Sequence, residues 1–166
     1  VTGVQTCALP ICSYHEWAEN TADQDRYKQA VSFYEKTVSK QNDSIFLYEC
    51  HFYSAQCHLK ISEHSQAKNK LSQLKSILDK SKKPESTWIF KTILLEGDIF
   101  LGESDYSSSI DRYSKAEKFS KDNDLPLLRN EAIVSIGNTY IAQKNFSKAE
   151  EYLTKMEKEA DQNNWE

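Results

Sequence analysis

The sequence predicts an all-α chain built from repeated helical hairpins, and three observations carry that prediction. Gly and Pro are scarce, four and three in 166 residues, so little interrupts helix, while 39% hydrophobic residues are enough to build a core. One pattern of small and aromatic residues recurs along the chain at intervals near 40 residues. The segments between these marks have helical length, and short polar stretches join them.

The recurrence is read from four pairs of small residues: Ala18 and Ala30, Ala55 and Ala67, Gly97 and Ser109, Gly137 and Ala149. Each pair is separated by twelve positions. Three residues before each second member stand Tyr27, His64, Tyr106 and Phe146; four residues after it stand Tyr34, Leu71, Tyr113 and Leu153. Two antiparallel helices joined by a tight turn explain such spacing. Small side chains let the backbones approach, and the aromatic at the start of the second helix is expected to fill the wedge where the pair diverges. Gly97 and Gly137 fall inside helical periodicity, where glycine costs about 1 kcal/mol against alanine, so a close contact is the expected compensation.

Taken in order, the first helices of the hairpins are predicted at 13–22, 49–60, 88–101 and 127–143. The second helices are predicted at 25–40, 64–80, 106–121 and 146–161. Pro84 and Pro126 both lie seventeen residues after a second small residue, in the link to the next hairpin, where a missing N–H does no harm. Repeats are therefore expected at about 13–44, 45–84, 87–126 and 127–161. The segment Gln162-Asn163-Asn164-Trp165 aligns with the lead-in Asp122-Asn123-Asp124-Leu125, so a further repeat is expected beyond it and the array reads as open at both ends.

Gly137, Tyr140, Phe146, Ala149 and Leu153 together resemble the tetratricopeptide signature of small, aromatic and alanine positions across two helices, and the likeness extends over residues 13–166. The steps between second small residues, 37, 42 and 40, exceed the usual 34 or so and resemble the family's elongated members. The resemblance implies a right-handed α-α superhelix of about four repeats. It also implies a non-catalytic scaffold whose first helices line a concave groove for a peptide or partner protein. Groove contacts in that family come from just after the small position and a turn or two to either side. Carried onto this chain, that implies Phe52, Gln56, Leu59, Lys91, Leu94, Asp98, Val134, Asn138 and Ile141. Asn138 stands out because a side-chain amide both donates to and accepts from an extended peptide backbone. An alternative expectation is the sensory or regulatory repeat region of a larger bacterial signalling protein, a histidine kinase or a transcription regulator.

Residues 1–12 stand outside this pattern. The string from Val1 to Ile11 resembles the conceptual translation of a sequencing adapter, with Cys12 at the junction; it carries no charge and lacks the basic start of a signal peptide. Setting it aside leaves Cys50 and Cys57, which form no disulfide framework and fit a reducing, cytoplasmic setting. A formal net charge of -4 gives no electrostatic footprint for nucleic acid, and no apolar run is long enough to span a bilayer.

Other chemistry is weighed and set lower. Cys50-His51 and Cys57-His58, with His64 nearby, suggest a metal, but seven residues along a helix put the pairs about 10.5 Å apart, too far for one ion. His58 and His64 also hold the register of Tyr140 and Phe146, so packed aromatics are the expected reading. The lysines Lys68, Lys70, Lys75, Lys80, Lys82 and Lys83 read first as a solvated helix face and second as a patch for an acidic partner. No phosphate loop, nucleophile elbow or metalloprotease motif is present, so neither a catalytic role nor a cofactor is expected.

Overall fold

A computed structural model describes residues 24–39 and 44–162. Among the described residues there are seven α-helices and no strand: α1 (Gln24–Val38), α2 (Ser44–Lys60), α3 (His64–Lys80), α4 (Ser86–Gly102), α5 (Tyr106–Asp122), α6 (Pro126–Ala142) and α7 (Phe146–Gln162). The expected helix at 13–22, with Ala18, and the adapter-like residues 1–12 lie outside the described residues. Predicted and observed bounds agree within two residues for six helices. The exception is α2, which starts at Ser44 rather than Glu49 because the apolar stretch Ile45-Phe46 and Tyr48 continues the helix toward its N-terminus. Phe46 packs on the core there, and Tyr48 is buried.

The chain divides into two compact units between Pro84 and Glu85. In the first, α2 packs on α1 and on α3. Its core gathers Tyr27, Ala30, Val31 and Tyr34 of α1 with Cys50 and Cys57 of α2. Tyr34 and Tyr53 stack at 6.3 Å between ring centroids. In the second unit α4–α5 and α6–α7 form two helical hairpins; α6 also packs on α5, and the two first helices α4 and α6 touch. Phe90, Leu94, Tyr113, Ala116, Ala132 and Ile136 make its core. Burying an aromatic or aliphatic side chain of this kind stabilises by roughly 1.5–3 kcal/mol, which is what holds helices of modest intrinsic propensity together.

The small positions are buried as the spacing predicts. Ala30, Ala55, Ala67 and Ser109 are fully covered, and Gly97, Gly137 and Ala149 are buried. What occupies the space in front of each glycine is the side chain four residues past the second small position. A β-carbon on Gly97 would lie 2.6 Å from Cδ1 of Tyr113, and one on Gly137 would lie 2.9 Å from Cδ2 of Leu153. The wedge-filling role of the aromatics holds only in part. Tyr27 is buried at 5% exposure in the cluster that includes Cys50 and Cys57 of the following helix, but Phe146 is 65% exposed. Among the described residues no helix follows α7 to cover it.

Four turns share one chemistry. Helices α2, α4, α5 and α6 each end in a residue with positive φ: Ser62, Ser104, Asp124 and Lys144. Around each, two backbone bonds close the end. Glu63 N–H donates to His58 O at 2.8 Å and Ser62 N–H to Leu59 O at 3.0 Å; the same pattern recurs as Asp105 to Phe100, Leu125 to Ser120 and Asn145 to Tyr140. These are Schellman closures, which satisfy the orphan carbonyls of the last turn. The next helix begins at once. Asp105 accepts the Ser108 N–H at 3.1 Å and Asn145 accepts the Lys148 N–H at 3.4 Å, each an N-cap, while Pro126 occupies the first turn of α6.

Candidate functional site

The residues implied for a binding face sit on three helices and belong to the two units separately. On α2, Phe52, Gln56 and Leu59 follow an i, i+4, i+7 spacing and share one face. Phe52 is buried at 5% exposure, and Gln56 and Leu59 are half-buried. On α4, Lys91, Leu94 and Asp98 share a face, as do Val134, Asn138 and Ile141 on α6. Leu94 is buried within the core, Lys91, Asp98 and Val134 are half-buried, and Asn138 and Ile141 are exposed.

Contacts separate those residues that are committed to the fold from those that face outward. Asp98 accepts a hydrogen bond from the Tyr113 hydroxyl at 2.6 Å, tying α4 to α5. Burial and the neighbouring Asp98 carboxylate push the Tyr113 phenol far above its ordinary value, so it stays protonated and donates. Asp98 is thus a strut of the hairpin. Lys91 lies 4.7 Å from the centroid of the Trp88 ring, a cation–π contact that holds its ammonium on the α4 surface.

Two residues that sequence reasoning passed over belong beside them. Trp88 precedes Lys91 by one turn, and Glu131 precedes Val134 by one turn on the same face of α6. Partial desolvation pushes the Glu131 carboxyl up and the Lys91 ammonium draws it back, so the two charges, one on α4 and one on α6, lie near enough to interact. Extending each predicted stripe by one helical turn toward the N-terminus would have found both. The second unit therefore carries Lys91 on α4 and Glu131 on α6 within reach of each other's charge, with Asn138 and Ile141 further along α6.

The cysteine and histidine constellation resolves into separate contacts. Cys50 and Cys57 are buried within the first unit's core. His58 Nδ1 lies 2.7 Å from Glu63 Oε2, so the histidine clasps the residue that begins the following turn. Among the described residues no group of three His, Cys, Asp or Glu side chains is placed to hold a metal ion. No helix among them is long and apolar enough to cross a membrane. Lys70 of the lysine-rich helix α3 is committed: its ammonium pairs with Glu35 at 2.9 Å. Compared with protein-family models and with curated proteins, the sequence has no match.

Proposed function

We propose that the chain is a non-catalytic, tetratricopeptide-like interaction scaffold that holds a peptide or a partner protein on its first helices. The observation that supports this most directly is in the second unit, where the two first helices adjoin and present an exposed amide, Asn138, next to an exposed apolar side chain, Ile141. An extended peptide offers alternating N–H and C=O groups, which an amide can answer in both directions, and the flanking apolar surface takes a side chain. Lys91 and Glu131 supply charges of both signs, which suits a polar, sequence-tolerant segment better than a strongly charged one.

The test is a peptide selected from a random library against the chain, with affinity then measured for single variants. Asn138→Ala removes the amide without touching the core and is expected to weaken binding about tenfold, or ~1.4 kcal/mol. Ile141→Ser is expected to do the same. Asp98→Ala is the poorer probe because it also breaks the bond to Tyr113. Affinity unchanged in both Asn138→Ala and Ile141→Ser, with peptide still bound, rules this face out.

A further inference from the structure

A cleft of about 240 Å³ opens in the first unit where α1, α2 and α3 meet. Glu35 and Lys70 stand in it as an ion pair of 2.9 Å linking α1 to α3, with Lys70 12% exposed and Glu35 55% exposed. Tyr34 and Val38 of α1, Cys50, His51 and Ser54 of α2 and Gln73 of α3 complete the wall. Ser54 is 1% exposed, and its hydroxyl oxygen is buried with no hydrogen-bond partner.

The second unit supplies an internal comparison. Counted from the small residue of the first helix, Cys50, His51 and Ser54 hold the register that Ala132, Ile133 and Ile136 hold on α6. An ion pair links the flanking helices there too, Lys155 to Glu117 at 2.6 Å between α7 and α5. Those three α6 residues are completely buried and apolar, as a sealed contact between helices requires. In the first unit the two isoleucines are replaced by an imidazole and a hydroxymethyl group. Their replacement leaves space and an unanswered hydroxyl where the other unit is packed, a departure that costs stability unless something occupies it.

We propose that this cleft binds a small zwitterion of the α-amino-acid class, its carboxylate on Lys70, its ammonium on Glu35 and its side chain directed toward Ser54. The charges select this class. A lone anion that takes Lys70 strands Glu35, and a lone cation that takes Glu35 strands a largely buried Lys70 beside His51. A zwitterion exchanges one internal pair for two and leaves no charge unmatched. The imidazole of His51 is kept below its ordinary pKa by burial and by Lys70, so it adds no competing positive charge. The cleft is too large for a single water, and its short walls at Ser54 and Cys50 favour a small or hydroxylated side chain over a bulky one. None of its residues is among those implied for the peptide face, so the two readings stand or fall separately.

The experiment is calorimetric titration of the 166-residue chain with each of the twenty common amino acids, followed by the N-acetyl and methyl-ester forms of any that binds. At least one amino acid is expected to saturate a single site, with each one-charge derivative binding about tenfold more weakly or worse. Ser54→Ile, which installs the residue found at Ile136, is expected to close the cleft and abolish binding. Glu35→Gln, at the exposed mouth, is expected to weaken binding about tenfold in a chain that still melts cooperatively, and it decides the matter if Ser54→Ile fails to fold. No saturable binding by any of the twenty, equal affinity for the N-acetyl form, or wild-type affinity in Glu35→Gln overturns the proposal and leaves a water-filled void.

Discussion

Gly97 and Gly137 hold the same place in their hairpins, yet the side chains before them respond differently to added bulk. The β-carbon of Gly97→Ala meets the Tyr113 ring, which is 1% exposed and anchored through its hydroxyl to Asp98, so the ring cannot swing aside without losing that bond. Overpacking of about 1–3 kcal/mol then exceeds the gain of about 1 kcal/mol from replacing a helical glycine, and the variant is expected to melt lower than wild type. At Gly137 the neighbour is the half-buried, flexible end of Leu153, which can shift. Gly137→Ala is expected to fall within about 0.5 kcal/mol of wild type, whereas Gly137→Leu should cost about 1–3 kcal/mol; thermal melts of the three variants check the ranking. His51 gives the residue scale its pH signature. Its folded pKa is depressed by burial first and by Lys70 second, against about 6.5 in the unfolded chain. The folded state therefore prefers the neutral ring: stability is full above about pH 6.5 and is lost as pH falls from there through the lower folded value. Asp105 and Asp111 are also held below their ordinary values, Asp105 by the Ser108 hydrogen bonds and Asp111 by the Lys115 hydrogen bond. Their losses have the same sign but begin only near pH 4. Denaturant melts at about pH 7 and pH 5 are expected to show a smaller drop in His51→Ile than in wild type.

At the scale of the elements, the helix ends carry a cost that the sequence disguises. A left-handed residue closing a helix is usually glycine, because a β-carbon there costs about 1–2 kcal/mol. This chain uses Ser62, Ser104, Asp124 and Lys144 instead. Ser104→Gly and Lys144→Gly are each expected to raise stability by about 0.5–1 kcal/mol, part of the relief being offset by the freedom glycine gains in the unfolded chain. Lys118→Gly, an exposed position inside α5, should move the melt the other way by about 1 kcal/mol. Equal shifts in all three would mean that the turns are not strained in this sense. The same choice explains why helix spans were legible while the turn chemistry was not. The recurring small and aromatic positions mark where each 17-residue helix from α2 to α7 falls, but a serine or lysine at the closing position gives no signal that glycine would have given. The i, i+4, i+7 spacing likewise puts Val134, Asn138 and Ile141 on one face of α6. The Tyr113–Asp98 bond was not legible, because it joins two helices through side chains that no local pattern relates. The cleft beneath Glu35 and Lys70 is marked only by missing volume at Ser54, which becomes visible on comparison with Ile136 at the same register of α6.

For the molecule as a whole, the two units differ in how much of their structure they can hold alone. The second unit is two complete hairpins around a core drawn from α4, α5 and α6, with α7 packed on α6. It also has its own cross-links, the Tyr113–Asp98 bond and the Lys155–Glu117 and Arg129–Glu117 ion pairs at 2.6 and 3.5 Å. Its contacts join helices adjacent in the chain or one apart, so no distant segment is needed to close the core, and such arrays derive their stability from neighbour-to-neighbour terms. A fragment of residues 85–162 is therefore expected to keep its helicity and to unfold in one cooperative transition. Surface ion pairs contribute little, about 0–1 kcal/mol each, so the buried cluster must carry that transition. Tyr113→Ala in the fragment removes a ring that is 1% exposed together with its bond to Asp98, and should cost about 3–5 kcal/mol. Circular dichroism of both fragments during heating decides it. A sloping melt without a transition in the parent fragment, or a sharp one that Tyr113→Ala leaves in place, would mean that the second unit does not hold its fold through the core formed by Phe90, Leu94, Tyr113 and Ile136.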